Sequence, residues 1–430
     1  MPDSDRSGPP SLWRNHDFRR LWFGQTASQL GEQTTLVLLP LFAVLVLHAD
    51  ARQLGVLRAV GQAPILLLSL FVGAWVDRWQ TRTVMVLADL GRALALGGIA
   101  VTASYRLGLP ALFAVTFVIG SLSVFFDIAY QSSLVRMVGP DQLVQGNSAL
   151  EGTRSAAQIG GPALAGVMVS ALSAPVAALT SAASFAVSCV SIRRIRRPES
   201  IPEHDERQSR VWRRIREGLG FVVHNSALRA VGLASSAYQF FFAATMTIYL
   251  LFLPRELHLS GGAIGVALAA IGPGALVGSM LAARIPRRLG YGAALVSAAT
   301  LGDGVMIFVP VLHGSSSFTL PALVAVNFVF GMFGQTVNVM VMAVRQAVTP
   351  YQMQGRVAAT INCVGMGLSP LGSLLGGFLA AESSLRTSLL VTAAGMLLSP
   401  VSMALSPLIR QGRTLPTPPD GELGYHETGP

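Results

Sequence analysis

The stretch GAWVDRWQTR, residues 73–82, places three charged side chains between two long apolar segments. Asp77, Arg78 and Arg82 follow one apolar run directly, and a second run begins just after them. A connection this short between runs of roughly twenty apolar residues is typical of two helices that cross a bilayer and turn back. The pattern therefore predicts a helical membrane protein.

Composition agrees with this class. Of the 430 residues, 52% are hydrophobic and 12% are charged, whereas soluble domains carry about 25% charged residues. All 31 basic residues are arginine, so no lysine is available for a phosphate-binding loop or for Schiff-base chemistry. The two cysteines are too few for a disulfide framework. The seven histidines show no metal-ligand spacing. We therefore predict no enzyme, no metal site and no cofactor.

Hydropathy and helix breakers predict twelve membrane-spanning helices in two groups of six. The expected fold class is an all-α membrane protein made of two pseudo-symmetric six-helix bundles. The bundles occupy residues 18–192 and 227–410, with an N-terminal cytoplasmic segment at 1–17, a cytoplasmic central loop at 193–226 and a disordered tail at 411–430. The individual segments lie near 18–47, 53–76, 83–105, 110–136, 144–171, 174–192, 227–253, 260–283, 290–311, 318–348, 354–381 and 386–408.

The arginines are distributed unevenly over the two sides of the membrane. With the N-terminus in the cytoplasm, only Arg52, Arg106, Arg255 and Arg386 fall in outer connections. This asymmetry is the positive-inside pattern of a multi-pass protein in the plasma (inner) membrane, with both termini cytoplasmic. It accounts for the net charge of +10 without a nucleic-acid partner.

The two halves also share polar landmarks. Arg136 to Gly146 corresponds to Arg345 to Gly355 at an offset of 209, and Gly161-Pro162 corresponds to Ser369-Pro370 at an offset of 208. The charged turn is echoed by residues 278–287, where Ala282 replaces the acid. Repeats of six spans are how many secondary transporters are built. The repeat predicts a transporter with two related halves.

Together, the twelve spans, the basic central loop, the repeat and the pattern G-x-x-x-D-R-x-x-x-R resemble the major facilitator superfamily over nearly the whole chain. The resemblance implies that Asp77 accepts hydrogen bonds from the N-terminus of span eleven and holds the cytoplasmic side closed. Gln80 and Thr81 depart from the usual Gly and Arg of this signature. The residues that fit this gate motif are Gly73, Asp77, Arg78 and Arg82.

Two further stretches resemble the drug:proton antiporter branch that contains macrolide-efflux proteins and the enterobactin exporter. They are LWFGQTASQLGEQTTLVLLPLF in span one and FFDIAYQSSLVRMVGPDQLVQGNSAL, which leads into span five. The usual Pro after the double Phe is absent, because Ala129 and Tyr130 stand there. Gly161, Pro162 and Gly166 resemble the span-five motif of antiporters, in which small residues permit close helix packing.

Ionisable residues inside spans are costly and are functional candidates by default. Gln25, Gln29 and Glu32 lie at i, i+4 and i+7, so they form one polar stripe on span one. Such a stripe is expected to face a water-filled cavity, where Glu32 would take up and release a proton. The alternative is an acid that tightens a helix contact or lies wetted near a cavity mouth.

Asp127 in span four is the second proton-coupling candidate, and Gln131 lies one turn away. It would bind a cationic substrate, relay a proton or hydrogen-bond to a neighbouring helix. Arg58 lacks an acid at helical spacing, so it either meets Glu32 or Asp127 across the cavity or extends to the membrane surface.

Asp89 with Arg92, and Glu151 with Arg154, are i,i+3 pairs that partly neutralise themselves. A structural role is the prediction for both. Asp303 is isolated in span nine, which is peripheral in the resembled family, so a direct substrate role is not expected there.

The second half offers uncharged cavity residues. Asn327, Gly331, Gln335 and Asn338 form a stripe in span ten, and Tyr238 and Gln239 lie in span seven. Amides, aromatic rings and few charges suit a bulky, amphipathic or weakly basic small molecule. Aromatic clusters of this kind are also found facing lipid or in helix packing.

The sequence thus predicts a proton-coupled secondary exporter of a drug, antibiotic or natural product, driven by a proton gradient and working by alternating access. A siderophore or metabolite exporter of the same branch and a proton-coupled importer are the nearest alternatives. A membrane-embedded enzyme or scramblase is a remote one, because the spans lack a converging catalytic set.

Overall fold

The computed structural model describes residues 12–76, 79–102, 108–137, 142–172, 174–196, 216–217, 219–314, 317–349, 353–407 and 412. Within these ranges the chain is helical and contains no β-strand. Apart from Gly412, the predicted disordered tail lies outside the described residues, as does most of the predicted central loop.

The first half contains six helices after a short 3-10 turn at Leu12–Arg14. They are α1 (His16–Leu45), α2 (Ala51–Val76), α3 (Thr81–Thr102), α4 (Leu109–Met137), α5 (Leu143–Leu172) and α6 (Ala174–Arg193).

In the described part of the chain, residues 216–217 and 219–224 are also helical. The second half then continues with six longer helical stretches, four of them interrupted. They are α7 (Ser226–Arg255), α8 (Gly261–Ala269) with α9 (Ile271–Leu289), α10 (Tyr291–Gly304) with a 3-10 segment at Val305–Val311, α11 (Thr319–Val348), α12 (Gln354–Gly367) with α13 (Ser369–Glu382), and α14 (Leu385–Met396) with α15 (Leu398–Ala404).

All twelve predicted segments coincide with these helices within a few residues. Within the described ranges, eight helical stretches are long and apolar enough to cross a membrane. The all-α class and the multi-pass membrane character predicted from the sequence are therefore confirmed.

The chain divides into two compact units. Unit one comprises residues 1–205 and 259–269, and unit two comprises 206–258 and 270–430. Helix α8 thus groups with the first unit, although the sequence places it in the second half. The reason is a contact between glycines, because a Cβ on Gly166 of α5 would overlap the Cα of Gly265 of α8. Without side chains there, the two helix backbones touch.

The first helix of each half begins and ends in the same way. The side chains of Asn15 and Asn225 each accept two backbone N–H groups of the first helical turn, which is a standard N-terminal cap. After the helices end, His48 and His258 adopt positive φ angles of 51° and 52°. Both pairs of positions lie 210 residues apart. This correspondence supports the predicted internal repeat.

A glycine in α11 gives a direct test of the packing in unit two. A Cβ on Gly331 would overlap the backbone oxygen of Ile271 at the start of α9, whereas a Cβ on Gly334 would have no atom within 4 Å. We expect Gly331→Ala to destabilise the protein by about 1–3 kcal/mol, because backbone cannot move aside as a side chain can.

The measurement is the thermal midpoint of the purified variants in detergent. Gly334→Ala is the matched control, since it makes the same change one turn further along the same helix and is expected to leave the midpoint unchanged or slightly higher. Equal midpoints for the two variants would contradict the close contact between α9 and α11.

Candidate functional site

The polar stripe predicted on α1 is present in unit one. Gln25 and Gln29 are buried, and the side chain of Glu32 is 20% exposed. Ser28 is a fourth member and is completely buried. Its spacing of three after Gln25 and four before Glu32 places it on the same face, so the sequence held a signal for it.

Arg92 of α3 contacts two residues of this stripe, Ser28 and Glu32. Its guanidinium is completely buried. Nη2 donates to Ser28 Oγ at 3.0 Å and also to Asp89 Oδ1. Nη1 donates to Ser123 Oγ of α4 at 3.2 Å and lies 3.6 Å from Glu32 Oε2. Arg92 therefore joins α1, α3 and α4 through charged and polar contacts.

Two aromatic rings enclose the same guanidinium. Phe126 of α4 and Phe185 of α6 each lie 4.5 Å from the Arg92 Cζ atom, measured to the ring centroid. A cation over an aromatic face is stabilised by the ring quadrupole, and more so where water is excluded. The rings hold Arg92 in place while leaving its hydrogen-bonding edge free for oxygen atoms.

The cluster contains two carboxylates for one guanidinium. Asp89 takes the direct hydrogen bond from Arg92 and a second from Ser28 at 3.1 Å. The buried Oε2 atom of Glu32 has no hydrogen-bond partner among the described residues. Breaking or leaving incomplete a buried ion pair is costly, because each charge has lost its water. Asp89 Oδ2 is likewise buried without a hydrogen-bond partner in the described residues. Of the two acids, only Asp89 accepts a hydrogen bond from Arg92, so the cluster compensates the charge of Glu32 less completely.

The predicted pair of Asp89 and Arg92 therefore forms, but it does not neutralise itself in isolation. The contact of Arg92 with Glu32 was not predicted, because it depends on how α1 packs against α3. The second predicted pair, Glu151 with Arg154, is separated by 3.7 Å, and its side chains are 66% and 49% exposed.

The remaining charged candidates of unit one lie near this cluster. Asp127 of α4 is partly buried and interacts electrostatically with Glu32 and Arg92. Arg58 makes no ion pair with Glu32 or Asp127, and its Nε atom is buried without a partner in the described part of the chain. Gln131 is exposed.

The span-five motif packs directly against the acid-bearing helix. A Cβ on Gly161 would overlap the Cβ of Gln33, the residue after Glu32. Pro162 lies inside α5 and does not end it. Gly166 contacts α8 as described above. The motif therefore brings the backbone of α5 against the turn of α1 that carries Glu32.

The predicted gate motif is only partly within the described residues. Gly73 lies in α2, and Arg82 at the start of α3 donates from Nη2 to the backbone oxygen of Arg193 at the end of α6. Asp77 and Arg78 lie outside the described residues. The gating role of Asp77 stays a prediction.

In unit two, Asn327 is buried in a contact between helices. Its Nδ2 donates to the hydroxyl oxygen of Tyr249 at 2.7 Å and to the Leu323 backbone oxygen at 2.9 Å. Tyr249 was missed from the sequence because no spacing relates it to Asn327. Gln335 is partly buried and Asn338 is exposed. The residues of the predicted stripe on α11 thus range from buried to exposed and do not line one surface together.

Aromatic rings form a ladder in the same unit. Tyr238 stacks on Phe242 with 5.3 Å between ring centroids, and Phe242 stacks on Phe330 at 5.8 Å. Gln239 borders Gly365 of α12, with its Cγ atom 3.8 Å from the position of a Cβ there. Tyr238 thus stacks on a ring of its own helix, whereas Gln239 borders α12.

Among the described residues, eight helical stretches of bilayer length and a buried network of charges between helices are typical of a multi-pass membrane transporter. Residues 21–370 match the Major Facilitator Superfamily, and the chain belongs to that family. It is a transporter and not an enzyme. The family predicted from the gate motif and the repeat is confirmed.

Several known proteins are similar to this chain. The Multidrug efflux pump Tap of Mycolicibacterium fortuitum is 27% identical over 405 residues, covering 90% of this chain and 95% of that protein. The pump of the same name from Mycobacterium tuberculosis (strain ATCC 25618 / H37Rv) is 26% identical over 391 residues, covering 86% and 88%. A bacterial homologue of the iron transporter ferroportin, solved in an inward-facing state, has a TM-score of 0.72 at 16% identity, covering 92% and 98%. That likeness concerns the fold alone.

Proposed function

We propose that this protein is a proton-coupled exporter of small organic compounds, working by alternating access. The observation that carries the proposal is the cluster in which Glu32 and Asp89 share the single guanidinium of Arg92. The relatives named multidrug efflux pumps support drugs, antibiotics or similar natural products as the exported class.

Glu32 is the proton carrier in this proposal. With Asp89 ionised, its charge balances that of Arg92, so a proton on Glu32 leaves these three side chains without net charge. When Glu32 loses that proton, its carboxylate is attracted to Arg92, and the contact between α1 and α3 strengthens. A proton drives a conformational change only if it binds one state more tightly than the other. The change in the α1–α3 contact would supply that difference.

Asp127 is the second acid of the coupling machinery in this proposal. Because it interacts electrostatically with both Glu32 and Arg92, a change of charge on one acid alters the free energy of ionising the other. A weakly basic substrate would compete with the proton for the same negative charge.

The proposed location is the plasma (inner) membrane with both termini in the cytoplasm. The arginine asymmetry supports this orientation. Everted membrane vesicles expose the cytoplasmic face, so an exporter would move its substrate into them. A cysteine introduced at position 205 that reacts only with reagents on the outside of intact cells would contradict the orientation.

Transport into such vesicles tests the function. A panel of antibiotics, siderophores and organic cations is offered to energised vesicles with and without the protein. One coupled proton per molecule supports about tenfold accumulation per pH unit of gradient. Accumulation should collapse when a protonophore removes the gradient. Accumulation that survives the protonophore, or movement of every active compound in the opposite direction, would contradict the proposal.

A further inference from the structure

Asp303 in unit two is a buried acid that the proposed cycle does not use. It lies near the end of α10 and is 5% exposed. The described part of the chain offers it no hydrogen bond and no ion pair, and its one electrostatic neighbour is Tyr238 of α7. A carboxylate that is largely buried and has no counter-charge inside a bilayer-length helix is strongly disfavoured.

The residues near Asp303 on its own helix supply no counter-ion. Asp89 has Arg92 three residues later on the same helix, whereas no charged residue lies three or four residues from Asp303 in either direction; these positions are Ala299, Thr300, Met306 and Ile307. The helix also packs closely here, because a Cβ on Gly302 would lie 3.0 Å from the Phe333 Cβ of α11. Asp303 therefore lacks the local counter-ion that Asp89 has.

The charges on the helices that pack against α10 lie far from Asp303. Gly302 packs at Phe333, and Arg345 follows twelve residues later on α11, which is roughly 18 Å along a helix. Helix α15 and the segment Val305–Val311 contain no ionisable residue. The charged residues of α9 and α14 lie toward the ends of these helices. They are Arg284, Arg287 and Arg288 on α9 and Arg386 on α14. Arg386 pairs with Glu256.

We propose that Asp303 is a proton-binding site of unit two, separate from Glu32, and that it holds its proton at neutral pH. A proton satisfies this site because it removes the charge without needing further ligands. A metal cation would need several oxygen ligands, and the described residues contain no group of three or more metal-binding side chains. The second half of the repeat then has an acid protonation site of its own.

The thermal midpoint as a function of pH tests the proposal without reference to transport. An aspartate in an unfolded chain is ionised above about pH 5, so the wild-type protein must take up a proton on folding at neutral pH. That requirement lowers stability as pH rises. Asp303→Asn removes it, so the variant should melt about 2–4 °C above wild type at pH 8, with a smaller difference at pH 5.

Glu256→Gln is the contrasting variant, because this acid is ion-paired with Arg386 at 3.3 Å and its loss should lower the midpoint or leave it unchanged. The rise for Asp303→Asn should persist in a Glu32→Gln background, since the two sites are independent. A lower midpoint for Asp303→Asn, or a difference that does not change with pH, would overturn the proposal.

Infrared spectroscopy gives a second, direct reading. The absorption of protonated carboxyl groups in the wild-type protein at neutral pH should fall by one group in Asp303→Asn and in Asp303→Ala. This comparison needs only one of the two variants to fold. A protonated-carboxyl band that is unchanged in a folded variant would mean that Asp303 is ionised.

Discussion

Glu32→Gln is expected to abolish accumulation driven by a proton gradient while leaving the protein folded and able to bind its substrate. The amide has nearly the shape of the protonated acid but cannot release a proton. The α1–α3 contact would therefore stay in one of its two states. Accumulation in everted vesicles should fall to the level of vesicles without the protein, a loss of about tenfold per pH unit of gradient.

Glu151→Gln is the matched control for this substitution. It makes the same chemical change in unit one, but on a side chain that is 66% exposed. We expect it to accumulate substrate like wild type. Full accumulation by Glu32→Gln would contradict the coupling role of Glu32. Loss of substrate binding by the folded variant would instead indicate that Glu32 is a substrate ligand.

Arg92→Met is expected to destabilise the protein by about 3–5 kcal/mol, because it leaves buried acids without their counter-ion. Methionine retains much of the length and the apolar contacts of the arginine stem. The two carboxylates of Asp89 and Glu32 would then face each other across the space left by the guanidinium. The thermal midpoint in detergent, followed together with the yield of monodisperse protein, measures the loss.

Two further variants separate loss of charge from loss of packing. Adding Asp89→Asn to Arg92→Met removes one of the uncompensated charges and should restore part of the midpoint. Arg154→Met is the control, since exposed pairs contribute about 0–1 kcal/mol. An Arg92→Met protein that melts like wild type, or one that Asp89→Asn destabilises further, would contradict the charge balance of the cluster.

The sequence predicted the helices and the family because those depend on local pattern. Apolar runs, arginines at their ends and the spacing around Asp77 fix where each helix lies and which family the chain resembles. The breaks after Ala269, Gly304 and Met396 were not predicted. They interrupt continuous apolar runs, and hydropathy cannot distinguish a straight helix from an interrupted one.

The sequence identified most residues of the candidate site but not the contacts between them. Glu32, Gln25 and Gln29 were found from one stripe, and Asp89 with Arg92 from their spacing. That Arg92 reaches Glu32 depends on the packing of α3 on α1, and its enclosure by Phe126 and Phe185 depends on α4 and α6. No periodicity within a single helix contains such information. The pairing of Asn327 with Tyr249 was missed for the same reason.

Proton release on substrate binding tests the central claim most directly. Purified protein is held in a weakly buffered detergent solution without any gradient, and a compound found active in vesicles is added while a pH indicator is followed. We expect wild-type protein to release protons as substrate binds, Glu151→Gln to release as many, and Glu32→Gln to release none. Equal release by wild type and Glu32→Gln would show that Glu32 does not exchange its proton for substrate, and would contradict the proposed coupling.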